Sequence, residues 1–150
     1  CMLLQFRAQT NSSFGFYLEN IMTKEQLYYY QSKLEYEMDS SDLYNELQNN
    51  ENTYIVVDGR SPDAFVIEHI KGAVNIWHKD ICSNSTKDLD KSKIYICYCD
   101  GIGCNASTKT ALKLLTLGFK VKELIGGLDW WKRDGYETNI SGLKEGNCGC

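Results

Sequence analysis

No stretch of this 150-residue chain approaches the ~20 consecutive apolar residues that a helical membrane span requires, so no such span is expected. Basic charge is also in short supply. Sixteen Lys and Arg stand against twenty Asp and Glu, giving a formal net charge of −4. No Lys/Arg cluster with interleaved aromatics offsets that balance locally, so neither nucleic acid nor a membrane is an expected partner. The first 22 residues lack the basic start, unbroken apolar stretch and small-residue cleavage site of a secretory leader. Regular cysteine spacing is missing too. The seven cysteines are an odd number, with Cys97, Cys99 and Cys104 grouped and Cys148 and Cys150 at the end. That argues against a disulfide scaffold and for reduced thiols, and hence a cytoplasmic location. Cys1 reads as a cloning remnant rather than the modified first residue of a lipoprotein.

What is present is the balance of an ordinary globular protein, 43% hydrophobic and 24% charged. The length suits one domain that can bury a core without disulfides or metal. Residues 1–22 carry no sustained period and read as a poorly ordered arm. Residues 23–140 read as the domain, and 141–150 as a flexible tail in which Cys148 and Cys150 are incidental thiols. Thr23 can cap a helix running toward Tyr36, with Leu27, Tyr30 and Leu34 on one side. Tyr28 to Tyr30 read as core and rim packing. Ser40 or Ser41 can cap a second helix through Leu43 and Leu47.

Tyr54-Ile55-Val56-Val57 is apolar on both faces, the pattern of a buried parallel strand, and Pro62 then suits the first position of a short helix. Gly72 to Ile76 reads as a second strand, Lys93 to Tyr98 as a third ending at Cys99, and Val121 to Ile125 as a fourth. Between the last two, Ala111, Leu112, Leu114, Leu115 and Leu117 give a helix an apolar face that ends at Gly118. A final helix is expected over Leu128 to Arg133. Strands alternating with helices predict an α/β fold, a mostly parallel sheet with helices on both faces and an N-terminal helical extension. Ligands of such sheets sit at the carboxyl ends of the strands, where Cys99 falls.

A cysteine placed there, followed by a glycine-containing loop and a helix N-terminus, is expected in a positive field that favours thiolate. Asp100 would oppose that field if its carboxylate lay close. Several motifs then occur in order. Val57-Asp58-Gly59-Arg60-Ser61-Pro62, His69 through Ile76, Tyr98-Cys99, Gly118-Phe119 and Gly126-Gly127-Leu128-Asp129-Trp130 together resemble the rhodanese family over residues 54–136. The loop Cys99-Asp100-Gly101-Ile102-Gly103-Cys104-Asn105 resembles a subgroup with a Cys-x-Gly-x-Gly-Cys-Asn loop, longer than the usual one by about two residues.

The resemblance implies a sulfurtransferase without metal or organic cofactor. Cys99 would take a sulfane sulfur from a donor such as thiosulfate, hold it as a persulfide cradled by the amides of Asp100, Gly101, Ile102, Gly103, Cys104 and Asn105, and pass it to a thiol, a cyanide-type acceptor or a protein. Asp58, Arg60 and His69 are expected in structural roles, with His78 near the site rim. Cys97 is expected in the core, and Trp130 and Trp131 at core and rim. Two alternatives stand beside this one: a non-catalytic rhodanese module that binds a protein, and a thiol-redox protein in which Cys104 resolves an oxidised Cys99. Cysteine phosphatases and arsenate reductases fit less well, because their Cys-x5-Arg loop needs a guanidinium where this chain has Asn105.

Overall fold

The computed structural model of the protein describes residues 12–50 and 52–141. The chain divides into two compact units, residues 1–35 and residues 36–150. The described part of the first unit lies in one helix, α1 (Ser12–Tyr36). It begins ahead of Thr23, so residues 12–22 are helical where an arm was expected, and residues 1–11 lie outside the described residues. The expected core packing of this helix is not found. Leu27, Tyr28, Tyr29, Tyr30 and Leu34 are all exposed, because the helix lacks the continuous one-sided apolar stripe that drives burial. Among the described residues no helix is long and apolar enough to cross a membrane.

The second unit runs β1 (Glu37–Met38), α2 (Ser40–Asn49), β2 (Tyr54–Asp58), α3 (Pro62–Ile67), β3 (Glu68–Ile70), β4 (Val74–Asn75), β5 (Ile94–Tyr98), α4 (Ala106–Thr116), β6 (Lys120–Leu124), α5 (Gly127–Arg133) and β7 (Thr138–Ile140). Five strands form a parallel sheet in the order β1-β6-β5-β2-β4, which is the α/β arrangement expected. Local signals account for most helix ends. The cap of α2 is Asp39 rather than Ser40 or Ser41: its extended backbone lets the carboxylate accept the Asp42 amide at 2.8 Å, while Ser40 is buried. Ser61 caps α3, with Pro62 in the first turn where a missing amide proton costs nothing.

The centre of the sheet is β5, paired with β2 from Tyr54↔Ile94 to Asp58↔Tyr98 and with β6 on its other side. Its alternating side chains feed two cores, as the period of two along a strand requires. Ile96 and Tyr98 pack with Met38, Leu43, Val56, Leu128 and Trp131, and Tyr95 and Cys97 pack on the opposite face with Val57, Leu114 and Phe119. Burying each of the larger apolar side chains contributes on the order of 1.5–3 kcal/mol, which holds the last residue of β5 in a fixed place. The strand expected over Gly72 to Ile76 is only Val74–Asn75, at the sheet edge, since Gly72 turns at φ +82°. Glu68–Ile70, for which no strand was expected, pairs antiparallel with Thr138–Ile140. The carboxyl ends of β2, β5 and β6 therefore share one edge, at Asp58, Tyr98 and Leu124.

Candidate active site

Cys99 follows directly on β5, and its main chain is held from two sides. Gly59 N–H donates to Tyr98 O at 3.0 Å, and Leu128 N–H donates to Cys99 O at 2.9 Å. The second bond requires a close approach by Gly127, which has φ +57° and whose missing Cβ would stand 2.3 Å from Cys99 O. Only glycine fits there without displacing the Cys99 backbone.

Around the sulfur, acceptors outnumber donors. Cys99 Sγ lies 3.1 Å from Cys104 O, 3.8 Å from Gly101 O and 3.3 Å from Ser107 Oγ, and the residue is only 2% exposed. The amide of Cys104 is used within the loop, donating to Gly101 O at 3.1 Å. Sγ thus faces loop carbonyls, as suits a thiol that must donate its proton, and the hydroxyl and amide of Ser107 lie beside it. The thiolate-favouring field is outweighed as well. Burial raises the Cys99 pKa above the ordinary thiol range; the Ser107 hydroxyl and amide pull it down, and the neighbouring Cys104 thiol pushes it up again. The helix that was to supply the field, α4, starts only at Ala106, and its cap Asn105 makes no side-chain capping bond.

Asp100 does not point at the sulfur. Its Oδ1 accepts from Arg60 Nη1 at 2.7 Å, and the same guanidinium pairs with both oxygens of the fully buried Asp58 and donates to Glu68 O at 2.6 Å. Burial alone would lower the Arg60 pKa, but the hydrogen bonds it donates to Asp58 and Asp100 more than reverse this, so the side chain stays charged. Arg60 therefore ties the ends of β2 and β3 to the residue after Cys99.

His69 Nδ1 lies 2.8 Å from Phe65 O with its ring stacked on Phe65, and His78 Nδ1 lies 3.1 Å from Gly59 O. Cys99 is a partner of neither. Cys97 is fully buried, and burial, with the charge of Glu123 adding to it, pushes its thiol far above the ordinary range. Trp131 is buried and Trp130 is 42% exposed. Cys1, Cys148 and Cys150 lie outside the described residues. Among the described residues no group of three or more His, Cys, Asp or Glu is placed to hold a metal.

Two open depressions flank the loop. One, about 420 Å³, is lined by Arg60, Glu68, Asp100, Asp129 and Lys132, among others. The other, about 510 Å³, includes Gly101, Ile102, Gly103, Cys104, Trp130 and Arg133. Cys99 lines neither, so the loop covers its sulfur. Two residues of this site were missed in the sequence, Ser107 and Glu123. Ser107 Oγ, 3.3 Å from Cys99 Sγ, donates to Glu123 Oε1 at 2.7 Å, and Thr108 Oγ1 donates to the same oxygen at 2.7 Å. The available signal was Glu123 itself, a carboxylate between Val121 and Leu124 in a strand.

The family model of the rhodanese-like domain matches residues 39–134. A protein of Bacillus halodurans of known structure is 39% identical, with a TM-score of 0.74 over 79% of this chain and 87% of that one. A probable molybdopterin-synthase adenylyltransferase of Porphyra purpurea is 34% identical over 107 residues, 71% of this chain and 26% of that protein. An adenylyltransferase and sulfurtransferase of Candida albicans is 31% identical over 103 residues, 61% of this chain and 22% of that protein. The chain thus spans only about a quarter of the length of these curated relatives. With that match running from the cap of α2 through the end of α5, and with a parallel α/β sheet presenting Cys99 at the carboxyl end of its central strand, the chain belongs to the rhodanese-like domain family.

Proposed function

We infer that the chain is a sulfurtransferase that carries a sulfane sulfur on Cys99, from a small donor such as thiosulfate to a thiophilic acceptor. The acceptor is cyanide or a thiol in an assay, or a protein. The observation that carries this is the placement of Cys99 directly after β5, its main chain held by Leu128 and its sulfur beside the hydroxyl and amide of Ser107. The Candida relative, whose name includes sulfur transfer, adds support.

In the first half-reaction the Cys99 thiol loses its proton and the sulfur attacks the sulfane sulfur of thiosulfate. The donor's S–S bond breaks with its electron pair leaving on sulfite, and Cys99 becomes a persulfide. In the second, the acceptor attacks the outer sulfur and the electron pair of the Cys99 S–S bond returns to Cys99 Sγ. This is covalent catalysis with cysteine as nucleophile. Loop residues Asp100 to Asn105 bind the substrate after moving off the sulfur. Ser107 lies outside that loop, in the first turn of α4, and stays to donate to the anionic sulfur.

The test is thiocyanate formation from thiosulfate and cyanide. The wild type is expected to release thiocyanate and Cys99→Ser only the uncatalysed background. Equal release from both contradicts sulfur transfer through Cys99. A second interpretation, a non-catalytic rhodanese module, is favoured by the near-complete burial of Cys99. It predicts no turnover with any of several donors by the folded wild type.

A further inference from the structure

We propose that Ser107 and Glu123 form a proton relay for Cys99, in which the thiol proton passes to the Ser107 hydroxyl as the hydroxyl's own proton passes to the Glu123 carboxylate. This deepens sulfur transfer at Cys99 and rests on it. The geometry is a continuous line from the reacting sulfur: Cys99 Sγ to Ser107 Oγ at 3.3 Å, and Ser107 Oγ to Glu123 Oε1 at 2.7 Å. A hydroxyl has one proton and two lone pairs. With its proton directed at Glu123, Ser107 faces the sulfur with a lone pair. Its neighbours offer nothing equivalent, because the Cys104 and Gly101 carbonyls compete with Ser107 for the single thiol proton as hydrogen-bond acceptors but cannot take it and pass it on.

The relay also answers a problem set by burial. Ionising Cys99 alone places a new negative charge where solvent is excluded, and that penalty raises its pKa. In the relay the charge count does not change: Glu123 becomes neutral as the sulfur becomes anionic. The proton moves while the sulfur bonds to its target, as in general-base catalysis, and the Ser107 hydroxyl ends as a donor to the anionic sulfur. Both relay residues stand on regular elements, Ser107 in the first turn of α4 and Glu123 in β6, so they keep their places when the loop over Cys99 opens.

Among the described residues, the groups facing Glu123 come from three elements. From α4 there are the hydroxyls of Ser107 and Thr108, both donating to Oε1. From β5 there is its register partner Cys97, whose buried thiol stays protonated, and from β1 its register partner Glu37. Ser107 touches the reacting atom and is the catalytic hydroxyl. Glu123 acts through it, as the positioning residue that polarises the hydroxyl and receives the proton.

The test is the pH dependence of Cys99 alkylation by iodoacetamide, read peptide by peptide by mass spectrometry on folded protein. Glu123→Gln is expected to slow Cys99 alkylation at neutral pH by roughly tenfold or more, with the two rates converging once the pH passes the thiol range. Ser107→Ala should behave like Glu123→Gln, and Glu123→Asp should recover part of the rate. A Glu123 that acts only as a fixed negative charge predicts the opposite sign, since its removal makes ionisation of Cys99 easier. An unchanged or faster rate in Glu123→Gln therefore overturns the relay. If that variant does not fold, Ser107→Ala, which removes one oxygen, decides alone: an unchanged rate overturns the relay and a tenfold loss supports it. Alkylation requires no sulfur transfer, so an absence of thiocyanate release alongside Glu123-dependent alkylation would remove the transferase function and leave the relay standing.

Discussion

Replacing Arg60 with methionine removes a charge from a place where the protein buries its counter-charge completely. Asp58 is 0% exposed, and both of its oxygens are held by the guanidinium, with Nη2 to Oδ2 at 2.7 Å and Nε to Oδ1 at 3.0 Å. In Arg60→Met that carboxylate keeps the residue 60 amide, which donates to Oδ1 at 2.9 Å in the native protein, and the neighbouring Tyr98 hydroxyl, neither of which carries a compensating charge. Glu68 O loses a donor as well. Asp100, 69% exposed, is solvated by water and loses little, about 0–1 kcal/mol. Leaving one member of a buried pair uncompensated costs about 3–5 kcal/mol, a large part of the ~5–15 kcal/mol that stabilises a typical domain. Adding Asp58→Asn to Arg60→Met removes the stranded charge and should recover at least ~1 kcal/mol, so the two changes couple strongly. Urea denaturation followed by circular dichroism measures both, with an unchanged denaturant slope as the sign that only stability moved. A loss below ~1 kcal/mol in Arg60→Met, or strict additivity in the double variant, refutes the buried pair as the anchor of this edge.

Gly127→Ala places a Cβ against Cys99 O at a left-handed position, so it should cost at least ~2 kcal/mol in urea denaturation; a neutral result contradicts the tight contact. Mild oxidation of the wild type should yield an intramolecular Cys99–Cys104 disulfide detected by peptide mapping; if both cysteines stay unlinked, or if Cys99 still forms an intramolecular disulfide in Cys104→Ser, Cys104 is not the resolving thiol. Burial raises the Cys97 pKa, so the unfolded chain ionises first. The stability this contributes is complete below the unfolded thiol pKa of about 8.5 and is lost as the pH rises above it, by up to ~1.4 kcal/mol per pH unit. Cys97→Ala should flatten that alkaline decline, and an identical slope in both proteins contradicts the assignment.

The elements legible in the sequence were those written in apolar pattern. Tyr54 to Val57 and Ile94 to Tyr98 are apolar on both faces, and they are the paired strands at the middle of the sheet. Gly-rich and Pro-containing turns marked the boundaries of α3, α4 and α5, and the place of Cys99 after β5 followed from them. What stayed hidden depends on contacts between distant residues. The β3–β7 pair joins Glu68 to Ile140, and neither segment is apolar enough to announce a strand. The surroundings of the sulfur were hidden for the same reason. Asp100 turns to Arg60, 40 positions away, and Ser107 meets Glu123 on another strand. A helix N-terminus after a cysteine suggests a stabilised thiolate, but burial and the neighbouring Cys104 thiol decide the balance here, and neither effect is visible in one dimension.

Sulfur transfer through Cys99 is tested most directly by the mass of the intact, reduced protein after incubation with thiosulfate. The wild type should gain about one sulfur mass, ~32 Da, and Cys99→Ser should gain nothing. The same gain in both proteins, or none in the wild type with thiosulfate and a panel of other sulfane donors, contradicts a persulfide on Cys99.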